Sequence, residues 1–172
     1  MPPPKPFEGE TLPGVVPQHP LQLVTRWYGQ NVDHNAELRD GVQPKLESAI
    51  HLWLRDENRY ELVYKAQWGL SPNPEDSGYR GVDVRESGHY TLEGDILHLQ
   101  PTVTEFTQLS GGNRVTQTIS GENRSYVVHL DKRYLNVAGR CASWQVDPVC
   151  KESENVWFSL RLADNSTANV FR

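Results

Sequence analysis

Residues 59–68 read Arg-Tyr-Glu-Leu-Val-Tyr-Lys-Ala-Gln-Trp, and polar and apolar side chains alternate through this run except at Val63. Successive side chains of a β-strand point to opposite faces, so the alternation places one apolar set on a single face. That set is Tyr60, Leu62, Tyr64, Ala66 and Trp68. Asp56-Glu-Asn precedes the run and follows another apolar stretch, residues 49–55. The pattern therefore predicts a half-buried hairpin with a tight turn at residues 56–58.

Short strands of the same kind fill the chain from there to residue 162. The predicted strands and hairpins cover residues 87–101 around Glu93-Gly94-Asp95, 102–109 and 114–119 around Ser110-Gly-Gly-Asn, 124–130 and 134–137 around Asp131-Lys-Arg, and 156–162. Consecutive hairpins form an up-and-down meander, and a meander of about eight strands closes because closure removes both exposed edges. We expect an all-β, antiparallel up-and-down barrel.

Composition places the chain among folded, water-soluble domains. Its 172 residues suit one domain, and 37% hydrophobic with 23% charged residues is too apolar for a disordered chain and too polar for a membrane protein. The formal net charge of -5 gives no basic footprint for nucleic acid and no polybasic face for anionic lipid. We therefore predict neither a nucleic-acid partner nor membrane insertion, and the oligomeric state is left open.

The N-terminal region differs from the rest of the chain. Residues 1–20 hold seven of the 12 prolines, which predicts a polyproline-like or disordered tail that can still pack across the domain. Residues 21–172 then form the single domain. Leu21, Val24 and Tyr28 lie at helical spacing before Gly29, so a short N-terminal helix is predicted, with a first strand as the alternative.

Two features bear on the compartment. No apolar leader follows Met1, which predicts a cytoplasmic protein, with a secreted mature form as the alternative. Cys141 and Cys150 fit no zinc site, because neither a second cysteine pair nor a matching histidine pair accompanies them. They form either reduced thiols or a loop-closing disulfide, and the missing leader favours the thiols.

Two hairpins resemble those of the lipocalin-like, or calycin, superfamily. They are Gly-His-Tyr-Thr-Leu-Glu-Gly-Asp-Ile-Leu-His-Leu-Gln-Pro at residues 88–101 and Tyr-Val-Val-His-Leu-Asp-Lys-Arg-Tyr-Leu-Asn-Val at residues 126–137. The resemblance implies a meander barrel with a ligand cavity over roughly residues 46–163. Classical lipocalins carry G-x-W near the first strand and an Arg on the last strand over that Trp. This chain has Trp27 and Arg161 but Thr25 in place of the Gly, so it resembles a divergent member.

Aromatic residues at inward positions are the candidate ligand-binding residues. Ring surfaces with phenolic hydroxyls suit a flat, partly polar ligand, although the same side chains can simply fill a small barrel. The candidates are Tyr60, Tyr64, Trp68, Tyr90, Phe106, Tyr126 and Phe158. The tail or the loop at residues 71–78 is predicted to act as a lid.

Catalytic and metal-binding signals are weak. His51, His98 and His129 fall at the parity opposite the apolar face, which puts them outside, and we predict no metal site. Glu105 is a candidate catalyst if its face turns inward, and a solvated outer residue otherwise. No hydrolase, zincin, P-loop or dinucleotide signature occurs, so no cofactor is predicted.

Three functional hypotheses follow. The first is a protein that binds a small apolar or aromatic molecule inside the barrel. The second is a cofactor-free cyclase or isomerase of small-molecule (natural-product) biosynthesis that works in the same cavity by positioning its substrate, as some similar barrels do. The third is a non-catalytic interaction module with a filled barrel and a Pro-rich tail that recruits a partner.

Overall fold

The computed structural model of the chain describes residues 12–33, 46–69, 73, 75–146, 150 and 155–162. These ranges contain nine β-strands. In chain order they are β1 Arg26–Asp33, β2 Leu46–Arg55, β3 Arg59–Gly69, β4 Tyr79–Glu93, β5 Ile96–Ser110, β6 Asn113–Ile119, β7 Arg124–Asp131, β8 Tyr134–Arg140 and β9 Asn155–Leu162. The predicted all-β fold is confirmed.

Eight of these strands close into an antiparallel barrel. The pairs run β1–β2–β3–β4–β5–β7–β8–β9 and back to β1. The long strand β5 pairs with β4 throughout, with β7 over its first residues and with β6 over its last. Strand β6 therefore extends the wall beyond the closed barrel, and the predicted meander acquires one additional strand.

Strand β5 passes through Pro101, where the sequence pattern predicted a break between two strands. Ser87 pairs with Val103 and Gly88 with Pro101, so Thr102 of β5 is the extra residue of a β-bulge beside Pro101, which accommodates the missing N–H. Only glycine fits at position 88, because a Cβ there would collide with the carbonyl of Gln100. Residues 96–110 are therefore one bent strand instead of two.

The predicted helix near the N-terminus is wrong, and the alternative of a first strand holds. A single 3₁₀ turn, Pro20–Leu23, precedes β1, and no helix in the described part of the chain is long and apolar enough to cross a membrane. Strand β1 pairs with β2 from Arg26 to Asp33, so its backbone groups find partners that an isolated short helix would not supply. The Trp27 indole N–H donates to the Leu23 carbonyl at 3.0 Å and so holds this turn against the start of β1.

Arg161 does not pack over Trp27 as the lipocalin resemblance implied. Trp27 faces the barrel interior, whereas its neighbour Tyr28 points to the outer face and lies opposite Arg161 on β9. The Arg161 guanidinium lies 5.5 Å from the centre of the Tyr28 ring. The cation–π contact therefore forms outside the barrel, one residue along from the position in classical lipocalins.

The barrel has two distinct ends. The turns at residues 56–58, 94–95 and 131–133 lie at one end, which we call the tail end. At the opposite end β8 is connected to β9 through Cys141 and Cys150, and we call this the disulfide end. Positive φ angles at Glu57, Gly94 and Lys132 allow the tight turns that the sequence predicted at the tail end.

The described part of the predicted tail packs on the tail end. Val15 exchanges two backbone hydrogen bonds with Leu130, both 2.8 Å long, where β7 extends past the start of β5. The Asn136 side chain donates to the Pro13 carbonyl at 2.8 Å, and a ring nitrogen of His129 lies 2.9 Å from the Leu12 carbonyl. Residues 12–16 are thus held to β7 and β8 by one isolated β-bridge and two side-chain contacts, while residues 1–11 lie outside the described ranges.

We expect Gly14→Ala to release this segment. Gly14 has φ +105, and a Cβ there would collide with the Leu130 carbonyl, so docking should weaken by about 1–3 kcal/mol. The measurement is hydrogen exchange at the Val15 amide, which should become faster. Gly94→Ala is the matched control, because Gly94 also has positive φ but its Cβ would meet no atom within 4 Å. Unchanged protection of Val15 in Gly14→Ala would contradict the expectation.

Candidate functional site

The seven aromatic candidates all belong to the barrel core. Tyr60, Tyr64, Tyr90, Tyr126 and Phe158 are buried in one cluster, and Trp68 and Phe106 pack against it half-buried. Their inward parity is as predicted. They are nevertheless spread along the whole barrel, since the Tyr90 hydroxyl donates to the Arg55 carbonyl at the tail end. A shared ligand-binding role for all seven stays a prediction.

Little empty space remains inside the barrel. The interior cavity measures about 30 Å³, which is room for about one to three water molecules. Tyr126 and Phe158 are the members of the aromatic set that line it, together with Leu62, Leu99, Val137 and Trp144. Most of the predicted ligand space is therefore filled by the protein's own side chains.

The Trp144 side chain occupies much of the barrel interior, although this residue belongs to a loop. It is buried to 5% exposure although it belongs to none of the strands. Its ring centre lies 5.1 Å from that of Tyr64 on one side, and the Arg124 guanidinium lies 5.2 Å from it on another. The loop residue thus occupies a niche formed by two barrel side chains.

A disulfide closes the loop that carries Trp144. Cys141 and Cys150 are bonded, with their Cα atoms 6.0 Å apart, so the preference for reduced thiols is wrong and the alternative of a loop-closing disulfide holds. The backbone N–H of Val146 donates to the Tyr64 hydroxyl at 3.1 Å, and that of Ser143 donates to the Glu122 carboxylate at 2.7 Å. We call the described residues 141–146 the Trp144 loop.

A buried ionic cluster lies beside Trp144. Arg124 donates to both carboxylate oxygens of Glu86, at 2.6 and 3.1 Å, and its Nε donates to the Tyr126 hydroxyl at 2.8 Å. The hydroxyls of Tyr60 and Thr104 also donate to Glu86, at 2.7 and 2.9 Å. A bidentate pair with this many hydrogen bonds satisfies charges that would otherwise be costly to bury.

Burial governs the ionisation of this cluster. It raises the pKa of Tyr60, and the adjacent Glu86 carboxylate raises that pKa further. Burial also raises the pKa of Tyr126, an effect that Arg124 partly offsets. For Arg124 burial alone would lower the pKa, but the Tyr126 oxygen and the Glu86 carboxylate outweigh it and hold the pKa above its ordinary value. The cluster stays as one ion pair with neutral phenols.

Stability should fall in alkaline solution because of these phenols. Burial raises the pKa of Tyr60, Tyr79, Tyr90 and Tyr126 above the unfolded value. Above about pH 10 the unfolded chain therefore loses protons that the folded chain keeps, and a tyrosine whose folded pKa lies well above that pH removes up to about 1.4 kcal/mol of unfolding free energy per pH unit. Below that pH the contribution is fully present. Urea unfolding across this range measures the slope, and Tyr60→Phe should make it shallower.

Glu86, Arg124 and Trp144 were not among the residues predicted from the sequence to form a site. Glu86 has the inward parity of its neighbours Val84 and Tyr90, and Arg124 has that of Tyr126. Charged residues at inward positions on two strands were a usable signal for a buried pair. Trp144 carried no such signal, because a loop has no periodicity that sets the direction of its side chains.

A second opening lies on the other side of the Trp144 loop. It is a cleft of about 640 Å³, lined by Glu122, Arg124, Arg140, Ala142 and Gln145 among others. Gln145 also lines the interior cavity. The loop is therefore the partition between an outer cleft and the filled barrel interior.

The remaining candidates lie away from this region. Glu105 is exposed on the outer face of β5, opposite Arg85 and Thr118, so it is not the buried acid that catalysis would need. His98 contacts Ser125 at 2.6 Å, and His129 lies 3.2 Å from Asp95. Among the described residues no group of three His, Cys, Asp or Glu side chains could hold a metal ion. Of the predicted lid at residues 71–78, positions 71, 72 and 74 lie outside the described ranges.

Comparison with known proteins adds no identification. No protein family matches the chain, and no curated protein matches it. The closed eight-stranded barrel is consistent with a lipocalin-like architecture. Since one fold serves many functions, the function has to be argued from the site itself.

Proposed function

We propose that the barrel interior binds a small, flat apolar or aromatic molecule at the position that Trp144 occupies. The observation that carries this proposal is that the residue filling this part of the interior, Trp144, comes from a loop and not from a strand. Trp144 comes from a loop and lies against Tyr64 and Arg124, while the strands supply the surrounding wall. A loop side chain can leave without breaking the sheet, whereas a strand side chain cannot.

Displacement of the Trp144 loop would create a site of useful size. The loop separates the interior cavity from the outer cleft of about 640 Å³, so its withdrawal would connect the two. The ligand would then bury apolar surface against Leu62, Val137 and Phe158 at about 25 cal/mol per Å². At the opposite end the 3₁₀ turn Pro20–Leu23 places Leu23 in the core, so entry is assigned to the disulfide end.

The polar groups around the niche favour an uncharged ligand. Arg124 and Glu86 neutralise one another and are already hydrogen-bonded. The Tyr64 hydroxyl accepts from the Val146 N–H of the loop, and withdrawal of the loop would remove this hydrogen bond. One hydroxyl near an apolar wall can orient a ligand that has a single polar substituent.

The test is native mass spectrometry of the full chain purified from its own host, followed by extraction of any bound molecule. A stoichiometric apolar compound is expected, and adding it should shift the NMR signal of the Trp144 indole N–H. Trp53 is the internal control, since its ring lies outside the barrel between Arg26 and Arg55. No bound compound, together with no thermal shift across a panel of apolar and aromatic molecules, would contradict the proposal.

The interaction module is the second candidate, and the cavity of about 30 Å³ favours it. A barrel that stays filled presents only its outer surface, and the tail would then be the recruiting element. A cyclase or isomerase would use the same interior as the ligand-binding protein, and conversion of the extracted molecule distinguishes the two. The disulfide favours an oxidising compartment and thus the secreted alternative.

A further inference from the structure

A further cavity lies on the outside of the barrel, separate from both the Trp144 niche and the cleft beside the Trp144 loop. It measures about 620 Å³, within the roughly 300–1,000 Å³ typical of small-molecule sites. Residues of β1 to β4 form its base, and the hairpin between β5 and β6 contributes Gly112, Asn113 and Arg114 at its rim. No residue described as lining it also lines the interior cavity or the cleft beside the Trp144 loop. We call it the Asp83 cleft.

Asp83 gives this cleft an unusual buried acceptor. Its exposed fraction is 9%, although it points to the outer face of β4. Lys65 and Arg85 lie 3.8 and 3.5 Å away, which balances its charge at distances too long for good hydrogen bonds. Its Oδ1 accepts no hydrogen bond from any part of the chain that the structure describes. Oδ1 is the oxygen that faces the Arg85 Nε at 3.5 Å, and a buried acceptor without a hydrogen-bond donor is destabilising, so a ligand that supplies a donor would gain affinity here.

The charges around the cleft favour a neutral donor over a cation. Lys65 and Arg85 already flank the carboxylate, so an additional ammonium group would meet two like charges. The other charged residues of the lining are Glu47, Glu75 and Arg114, so the lining together with the adjacent Arg85 carries no net formal charge. Glu47 is itself hydrogen-bonded by the Gln67 amide at 2.9 Å. A hydroxyl group can donate to Asp83 without adding charge.

Aromatic surface and amide groups complete the lining. Tyr28 and Tyr79 contribute apolar wall, and the Tyr79 hydroxyl lies over Gly81, where a Cβ would approach it to 2.9 Å. Burial and the adjacent Asp83 raise the pKa of Tyr79, so its hydroxyl remains a donor. The amides of Gln67 and Asn113 each offer both a donor and an acceptor.

We propose that the Asp83 cleft binds a neutral polyhydroxylated molecule of the sugar class. Asp83 Oδ1 accepts from one ligand hydroxyl, and the amides of Gln67 and Asn113 exchange hydrogen bonds with others. Tyr28 and Tyr79 contact the apolar face of the sugar ring. This site is independent of the proposed interior ligand, so either can fail without the other.

The test is an NMR titration of the full chain with methyl α-glucoside, methyl α-mannoside and methyl β-galactoside. At least one glycoside should shift the signals of Lys65, Asp83 and Asn113 while leaving the Trp144 indole signal in place. Asp83→Ala should weaken binding by about tenfold or more, since a hydrogen bond to a charged group is lost. Glu105→Gln is the matched control, because Glu105 is an exposed acid on the neighbouring strand outside the cleft. The affinity of this variant for the glycoside should not change.

Further probes keep the proposal falsifiable. Asn113 lies on an exposed hairpin, so the Asn113→Ala variant is expected to fold. If Asp83→Ala does not fold, a severalfold loss of glycoside affinity in Asn113→Ala supports the proposed site, and an unchanged affinity contradicts it. Tetramethylammonium and acetate serve as charged probes. Preferential binding of either ion at the cleft, shifts confined to the Trp144 loop, or no shifts with any glycoside would each overturn the proposal.

Discussion

Glu86→Gln is expected to lower the free energy of unfolding by about 3–5 kcal/mol. The substitution preserves shape but removes the charge that balances Arg124, whose side chain is 5% exposed. An uncompensated guanidinium would then remain in the core next to Tyr126 and Trp144. Urea denaturation, with the midpoint and slope fitted together, measures the effect.

The double variant Glu86→Gln/Arg124→Met determines whether the charge itself is the cause. Removing both charges should cost less than the sum of the two single substitutions, because the second removes the ion that the first left unpaired. In both variants the amide offers one acceptor oxygen, so only one of the Tyr60 and Thr104 hydroxyls can still donate to it, while the other faces the amide NH2 and can accept from it. Glu105→Gln, on the exposed face of β5, should stay within about 0.5 kcal/mol of the native chain. Additive costs for the pair would contradict a coupled buried cluster.

Much of the barrel was predictable because its signals are local. Alternation along β3 fixes which side chains face inward, and the register with β2 and β4 carries that parity across the wall. Gly111 and Gly112 have positive φ in the hairpin where the sequence predicted it, and Lys132 has positive φ in the next turn. These features depend on neighbouring residues and not on the closed fold.

The errors arose where distant contacts decide. Residues 21–28 fit both a helix and a strand, and pairing of β1 with β2 and β9 selects the strand. The register between β1 and β9 likewise places the Arg161 guanidinium over the Tyr28 ring. Spacing could not select between thiols and a disulfide at Cys141 and Cys150, because their 6.0 Å Cα separation results from the folded loop.

Trp144→Ala is expected to destabilise the protein by about 3–5 kcal/mol, and added indole should reverse part of that loss. The substitution leaves a void next to Tyr64 and Arg124. Apolar side chains of the strands line this void, and the loop no longer fills it. A molecule that binds only the folded state stabilises it in proportion to the logarithm of its concentration, by about 2.7 kcal/mol at a hundred times its dissociation constant. Thermal unfolding with increasing indole measures the recovery.

Trp53→Ala is the matched control for this experiment. It also deletes an indole, but from the outer face, where Arg26 and Arg55 lie 4.1 and 4.4 Å from the ring. Indole should not stabilise that variant, because no enclosed niche is created. Recovery in Trp144→Ala alone would show that the niche accepts a free aromatic molecule once the loop residue is absent, which the proposed function requires. Equal recovery in both variants, or none in either, would remove the support that the Trp144 niche gives to a ligand inside the barrel.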